Sequence, residues 1–303
     1  MKLSKDSLHG VVVAIITPFK DDFDLDLDGL KTITNYLVES GVHGIMTTGG
    51  NGEFPHLLPE ERFKVLEVVR EVTPSNVLVI SCVSACGLKE ALMYVKHAVD
   101  VGADGIISTP PYYYKLPPNS LFEFFKDLSE KSDIPLVVYN NPAYTGHNIT
   151  PQLMVKIASL DNVVGMKQSN SDIGQTAEII RLVGHRISVL TGIDSQFYPT
   201  LCIGGRGIFS TAACVVPKHM VELYEEFVKG DYRKAFEIYT TLQELFKFFE
   251  YEPGYVAPCK EALKILGLPA GPVRKPLPSL TDEEVEELKL VLSKLKLIPK
   301  QAV

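Results

Sequence analysis

The sequence predicts an α/β protein of the (β/α)₈ barrel class with a C-terminal helical extension. Three observations carry this reading. Short apolar runs alternate with longer stretches of helical periodicity, the alternation recurs eight times, and each short run is apolar on both faces, as a strand covered by helices must be. A doubly wound open sheet competes. It seldom runs through eight consecutive regular units, however, and no G-x-G-x-x-G follows the first run.

The expected strands are 11–17 (VVVAIIT), 44–48 (GIMTT), 77–81 (VLVIS), 105–108 (GIIS), 136–139 (LVVY), 163–167 (VVGMK), 187–191 (ISVLT) and 207–210 (GIFS). Helices are expected between them at 30–38, 59–69, 89–101, 118–131, 151–160, 175–183 and 196–203, most with apolar spacings of three and four. Their ends are signalled chemically. Thr150 sets an N-cap hydroxyl before the N1 proline Pro151, and Pro59-Glu60-Glu61 puts a proline and carboxylates into a first turn. Gly41, Gly102 and Gly184 fall where helices should stop. After Pro217 the strands cease, and 218–228, 232–250, 255–266 and 281–297 read as helices. The first of these closes the barrel, so the expected division is a catalytic barrel over 1–230 and a helical appendage over 231–303.

Composition narrows the function. The 303 residues, 46% apolar and 22% charged, can bury one large core, which excludes disordered, collagen-like and disulfide-stapled classes. A formal charge of −7 argues against a nucleic-acid-coating surface and a polybasic membrane patch, so an anionic ligand needs a local positive site. Five cysteines, odd in number and without a C-x-x-C pair, argue for buried reduced thiols in a cytoplasmic protein. The segment MKLSKDSLHG turns polar at once, and no apolar run approaches the roughly 20 residues of a membrane span. The seven histidines lack H-x-H and H-x₃-H spacing, Cys82-x₃-Cys86 lacks a second ligand pair and G-x-S-x-G is missing. Neither a metal centre nor a Ser-His-Asp triad is therefore expected.

In a barrel the chemistry sits at the carboxyl ends of the strands. The sixth strand ends in Lys167, and alternation puts Val163, Gly165 and Lys167 on one face, with Gly165 expected to leave room around the lysine stem. Enclosure disfavours a lysine's ammonium form, and a neutral amine is what Schiff-base chemistry on a ketone requires. The alternative is a strand-end lysine that snorkels to solvent. The fifth strand ends at Tyr139, which shares a face with Pro135 and Val137; its phenol suits proton relay, or packs in the core against a backbone carbonyl. Glycines 49, 50 and 52 after the second strand let backbone N–H groups converge into a nest for a carboxylate, or simply make a tight turn. Tyr112, Tyr113 and Tyr114 are hard to bury within one subunit and point to an interface or a pocket cap.

These residues together resemble the dihydrodipicolinate synthase/N-acetylneuraminate lyase family of class I pyruvate aldolases. The likeness runs through AIITPF (14–19), GGNGEF (49–54), LLPEER (57–62), GADG (102–105), PPYYY (110–114), YNNPAYTG (139–146), VVGMKQS (163–169) and KEALKILGLPAGPVRKPL (260–277). The resemblance implies Lys167 as the Schiff-base lysine and Tyr139 as the proton-shuttling phenol that contacts the pyruvyl carboxylate. It implies that the Gly50 and Asn51 amides bind that carboxylate, that the Ile208 carbonyl faces the site, and that Tyr113 enters a neighbouring subunit's site in a dimer of dimers.

Two departures matter. The family's synthases usually carry G-T-T-G-E, whose first threonine joins two tyrosines in a proton relay; here the stretch is Gly49-Gly50-Asn51-Gly52-Glu53, and the relay hydroxyl is missing. They also usually place an arginine two residues after Y-N-x-P, where this chain has Ala143-Tyr144, and a tyrosine cannot replace a bidentate guanidinium on a substrate carboxylate. Tyr144 is then expected to line the substrate site. The expectation is a Schiff-base lyase that reversibly cleaves a 2-keto-3-deoxy sugar acid, or a similar 2-oxo acid, to pyruvate and an aldehyde. Alternatives are a 4-hydroxy-tetrahydrodipicolinate synthase acting on pyruvate and aspartate semialdehyde, a Schiff-base dehydratase or deaminase, and an oxo-acid-binding pseudoenzyme. No cofactor beyond the covalent Schiff base on Lys167 is implied, the partners are small molecules rather than nucleic acid or membrane, and a homotetramer is expected.

Overall fold

The computed structural model describes residues 3–250 and 254–299. Strands β1 (Gly10–Ala14), β2 (Gly44–Thr47), β3 (Leu78–Cys82), β4 (Gly105–Ser108), β5 (Leu136–Asn140), β6 (Val163–Gln168), β7 (Ser188–Thr191) and β8 (Gly207–Ser210) pair in parallel in chain order, and β8 returns to β1. The result is a closed barrel. Its helices are α1 (Leu27–Glu39), α2 (Pro59–Val72), α3 (Leu88–Val101), α4 (Pro118–Glu130), α5 (Pro142–Thr145), α6 (Pro151–Ala158), α7 (Ile173–Val183), α8 (Phe197–Cys202) and α9 (Pro217–Lys229). Four more follow: α10 (Tyr232–Thr241), α11 (Gln243–Phe249), α12 (Val256–Ile265) and α13 (Asp282–Lys294).

The two-faced apolarity of the strands has a direct structural cause. Val12, Ala14, Met46, Ile80, Ile107, Val137, Leu190 and Phe209 fill the lumen together with Leu3 and Leu8, while Val11, Val13, Ile45, Val79, Leu136, Val138 and Met166 face the helices. Helix ends follow their signals. Thr150 Oγ1 accepts from Leu153 N at 3.3 Å, the Glu61 carboxylate reaches back to Leu58 N at 2.8 Å, and Gly102 stops α3 with φ at 80°. The helices beyond residue 230 join the same apolar core as the barrel's outer layer, through Leu242, Leu245, Phe246, Cys259, Leu263, Leu288 and Leu292.

Four expectations are corrected. Val163 does not share a face with Gly165 and Lys167: Leu136 pairs with Val163 but Val137 pairs with Gly165, so β6 carries a one-residue bulge that turns Val163 outward and lets Val164 pack against the lumen. The expected helix 232–250 is broken at Leu242, which caps both α10 and α11. The short α5 escaped the periodicity reading because four residues cannot display it; Pro142 starts it and Gly146, at φ 70°, stops it. Finally, Cys82, Cys214 and Cys259 are buried but Cys86 and Cys202 are exposed, so the thiols are not uniformly interior.

Candidate active site

The pairing of β5 with β6 sets Tyr139 directly opposite Lys167, and both project into the lumen at the carboxyl end of the barrel. Lys167 is 4% exposed, and its Nζ lies 4.1 Å from the centroid of the Tyr139 ring and 5.6 Å from that of Phe209. Among the described residues no carboxylate or hydrogen-bond acceptor holds this amine. The glycine that makes room for the lysine stem is not Gly165, whose absent side chain accommodates Leu8. It is Gly192, after β7, where a Cβ would meet Lys167 Cε at 2.6 Å and Cγ at 3.1 Å. Asn141 Nδ2 donates to Tyr139 Oη at 3.0 Å, which leaves the phenol's own proton free to point elsewhere.

The turn after β2 is folded back on itself. Gly52 N and Phe54 N donate to Gly49 O at 3.1 and 3.2 Å, Glu53 N donates to Gly50 O at 3.1 Å, and Thr48 and Glu53 hold left-handed φ of 46° and 54°. The N–H groups of Gly50 and Asn51 donate to no protein acceptor among the described residues, which fits a nest for an anion. The Asn51 side chain turns into the barrel wall, where Nδ2 donates to Ala14 O at 2.7 Å near the Cys214 and Cys259 sulfurs.

This turn is clasped from the C-terminal helices. The buried Glu53 carboxylate pairs with Lys260 Nζ at 2.5 Å and accepts from Arg274 N at 2.9 Å. Lys260 also donates to Pro272 O at 2.8 Å and lies 4.1 Å from the Phe19 ring centroid. Burial pulls its ammonium down to about 8 against the opposing pull of Glu53. Arg274 forks onto Glu61, whose carboxyl its hydrogen bonds hold below the usual range, and onto Phe23 O. The co-occurrence of GGNGEF and KEALKILGLPAGPVRKPL thus has a physical reason: each supplies one half of the clasp.

Lys167, Tyr139, Gly50, Asn51 and Tyr144 line one cavity of about 330 Å³, with Asn141, Ser169, Asp194, Thr211, Glu250 and Tyr255. A second cavity of about 350 Å³ shares Gly50, Tyr139, Asn141, Tyr144 and Tyr255 and runs to Phe54 and Tyr112. Burial pushes the Asp194 carboxyl up to about 7 despite hydrogen bonds from Ser210 Oγ at 2.5 Å and Ala212 N at 3.1 Å. Glu250 accepts from Ser195 N and Oγ at 2.6 and 2.7 Å.

Two expected residues lie outside the cavity lining. The Ile208 side chain is buried in the outer apolar layer, and Tyr113 is 86% exposed at φ 85°, its ring against Tyr114. Of the three tyrosines, Tyr112 alone tucks inward, against Phe54. Sequence reasoning passed over Asn141, Ser169, Gly192, Asp194 and Tyr255. Asn141 and Ser169 are within reach, two residues after Tyr139 and Lys167 and polar at strand ends; Gly192, Asp194 and Tyr255 come together with them only through the closed barrel and its C-terminal helices.

Residues 7–295 match the dihydrodipicolinate synthetase family. The 4-hydroxy-tetrahydrodipicolinate synthase of Methanospirillum hungatei is 39% identical over 289 residues, covering 94% of this chain and 99% of the relative. A crystal structure of a dihydrodipicolinate synthase, 38% identical, superposes with a TM-score of 0.92 over 96% of this chain and 100% of that one. An E. coli K12 prophage protein of the dihydrodipicolinic acid synthase family, solved in complex with pyruvate, is 29% identical with a TM-score of 0.92, covering 96% and 99%. No helix among the described residues is long and apolar enough to cross a membrane. With an enclosed lysine beside a tyrosine at the barrel mouth and matches spanning nearly its whole length, the chain belongs to the dihydrodipicolinate synthetase family of class I, Schiff-base carbon–carbon lyases.

Proposed function

We propose that the protein catalyses reversible aldol cleavage of a 4-hydroxy-2-oxo acid with a neutral, hydroxyl-bearing tail, such as a 2-keto-3-deoxy sugar acid, to pyruvate and an aldehyde. One observation carries the choice of tail. Among the described residues lining the cavity Lys167 is the sole cation, and two carboxylates, Asp194 and Glu250, face the space beyond it. A second carboxylate on the substrate would enter without a guanidinium to receive it, whereas hydroxyls find Ser169, Ser195, Gln196, Tyr144 and the two carboxylates.

The neutral Lys167 amine attacks the C2 ketone to give a carbinolamine. The nitrogen lone pair then expels hydroxide, which leaves as water with a proton from Tyr139, so an iminium and a phenolate form together. The phenolate takes the C4 hydroxyl proton, the C3–C4 electron pair moves into the iminium, and the aldehyde departs from an enamine. Protonation of C3 and hydrolysis release pyruvate and restore the lysine. The Gly50 and Asn51 amides hold the substrate carboxylate throughout, which is how a chain at −7 binds an anion. The carbonyl of Ile208 completes the site from β8, and Tyr113 reaches a neighbouring subunit's site in a dimer of dimers.

Borohydride with pyruvate tests the shared chemistry: covalent mass is expected on Lys167, and a folded, unmodified protein would sink the reading. The names of the relatives favour a second reading, 4-hydroxy-tetrahydrodipicolinate synthesis from pyruvate and aspartate semialdehyde. Competition between aspartate semialdehyde and glyceraldehyde for the trapped pyruvate separates the two. Preference for the hydroxyaldehyde supports the aldolase, and preference for the semialdehyde supports the synthase.

A further inference from the structure

Position 50 is a glycine where the family's synthases usually carry a hydroxyl, yet the space beside it is filled. A Cβ built on Gly50 would fall far inside contact distance of Tyr255 Oη, with Tyr255 Cζ at 3.5 Å. Tyr255 is the N-cap residue of α12, and its half-buried ring stands edge-on to Tyr144, centroids 6.1 Å apart and planes at 88°. Its hydroxyl therefore stands where the side chain of residue 50 would begin, beside the amides that receive the substrate carboxylate. Gly50 and Tyr255 line the same cavity as Lys167 and Tyr139.

The chemistry needs a hydroxyl there. Protons must reach the C2 hydroxyl and leave the substrate's carbon chain in turn, inside the cavity that Tyr255 lines together with Lys167, Tyr139 and the Gly50–Asn51 turn. Tyr139 is fixed on a strand, where Asn141 Nδ2 donates to its Oη and leaves its own proton to be passed on.

We propose that Tyr255 is a catalytic residue that relays protons between the substrate and Tyr139, its phenol supplied by the C-terminal helices in place of a hydroxyl on residue 50. The inference rests on the Schiff-base reading above. As the carbinolamine loses its hydroxyl, Tyr255 gives that group its proton and takes one from Tyr139; water, the iminium and a Tyr139 phenolate result. When C3 of the pyruvyl iminium is deprotonated the transfers reverse: C3 gives its proton to Tyr255, Tyr255 gives one to Tyr139, and the electron pair enters the neutral enamine. Charge and protons balance at each step, and Tyr255 ends each transfer as a neutral phenol.

Gly50 and Tyr255 are then a matched pair, and that makes the test independent of the unknown aldehyde. The readout is exchange of pyruvate methyl protons for deuterium in D₂O, followed by NMR, which requires the Schiff base and the enamine but no second substrate. Tyr255→Phe is expected to slow kcat for exchange by about 10²-fold, a typical acid–base contribution, while the pyruvate concentration for half-maximal rate moves by less than about threefold. Gly50→Ser collides with the phenol and loses activity. In Gly50→Ser/Tyr255→Phe the serine Cβ meets a ring carbon at ordinary contact distance, its hydroxyl takes over, and exchange recovers by about tenfold or more over Tyr255→Phe. A Tyr255→Phe enzyme with kcat unchanged, one altered only in half-saturation, or a folded double variant no faster than Tyr255→Phe overturns the proposal. Wild-type protein that neither exchanges pyruvate protons nor traps pyruvate overturns the Schiff-base reading instead.

Discussion

The barrel mouth and the clasp beneath the β2 turn each bury a lysine, and they treat it differently. Lys260, 1% exposed, meets Glu53, Pro272 O and the Phe19 ring, so its charge and its donors are all used. Lys167, 4% exposed, meets two aromatic faces and no anion among the described residues. Burying a charged pair is costly and is repaid only with good geometry and further hydrogen bonds. The clasp meets those terms and fixes a loop, whereas the mouth leaves an amine facing a cavity and uncommitted to any acceptor. Burial alone does not mark a reactive lysine; burial without a carboxylate at the end of a barrel strand does.

Four predictions test this contrast, the strongest first. Lys167→Ala should abolish borohydride trapping and pyruvate proton exchange to the buffer background while the melting temperature holds, whereas Lys260→Ala should still trap pyruvate wherever the protein remains folded. Tyr139→Phe should lower turnover by about 10²–10⁴-fold at unchanged fold, read as kcat. Lys260→Met leaves Glu53 buried and unpaired, so denaturant unfolding should show a loss of about 3–5 kcal/mol, and Glu53→Leu/Lys260→Met should recover part of it. The smallest effect concerns Asp194, a buried acid with hydroxyl and amide partners. Its folded carboxyl is raised from 3.8 to about 7, so the native state holds an extra proton between those values. The stability this gives is complete below about pH 4 and is lost as pH rises through 7. Melting temperature should therefore fall between pH 5 and pH 8, and Asp194→Asn should flatten that slope; an identical slope in the variant would remove Asp194 as its source.

What the sequence made legible follows the range of the forces involved. The number and order of the eight strands, the lumen face of Tyr139 and the position of Lys167 rest on local alternation and on one fold rule, and the structure agrees with them, although β1 ends at Ala14 rather than at the expected Thr17. The errors arise where a residue's setting is decided by a distant part of the chain. Alternation within β6 assigns Gly165 to the lysine, but the space at Gly165 belongs to Leu8, and the lysine's room comes from Gly192 on the neighbouring strand's loop. The missing hydroxyl at position 50 was visible as an absence. Its counterpart, Tyr255, lies 205 residues away and carried no local sign beyond the start of a helix. The Glu53–Lys260 pair spans a similar separation, and spacing rules do not reach so far.

The bulge in β6 gives that strand two independent phases. Val163 and Lys167 are an even number of residues apart, so a regular strand would send both the same way; the extra residue at 164 lets the first join the outer shell and the second the lumen. The floor of the strand is thereby free to answer to the helices and its mouth to the substrate. Deleting Val164 would shorten the strand without turning the amine outward, since the pairing of Tyr139 with Lys167 is counted from the other end. The orientation of the reactive group is written into the register of its neighbour, and the strand that bears it can change length at its base without losing it.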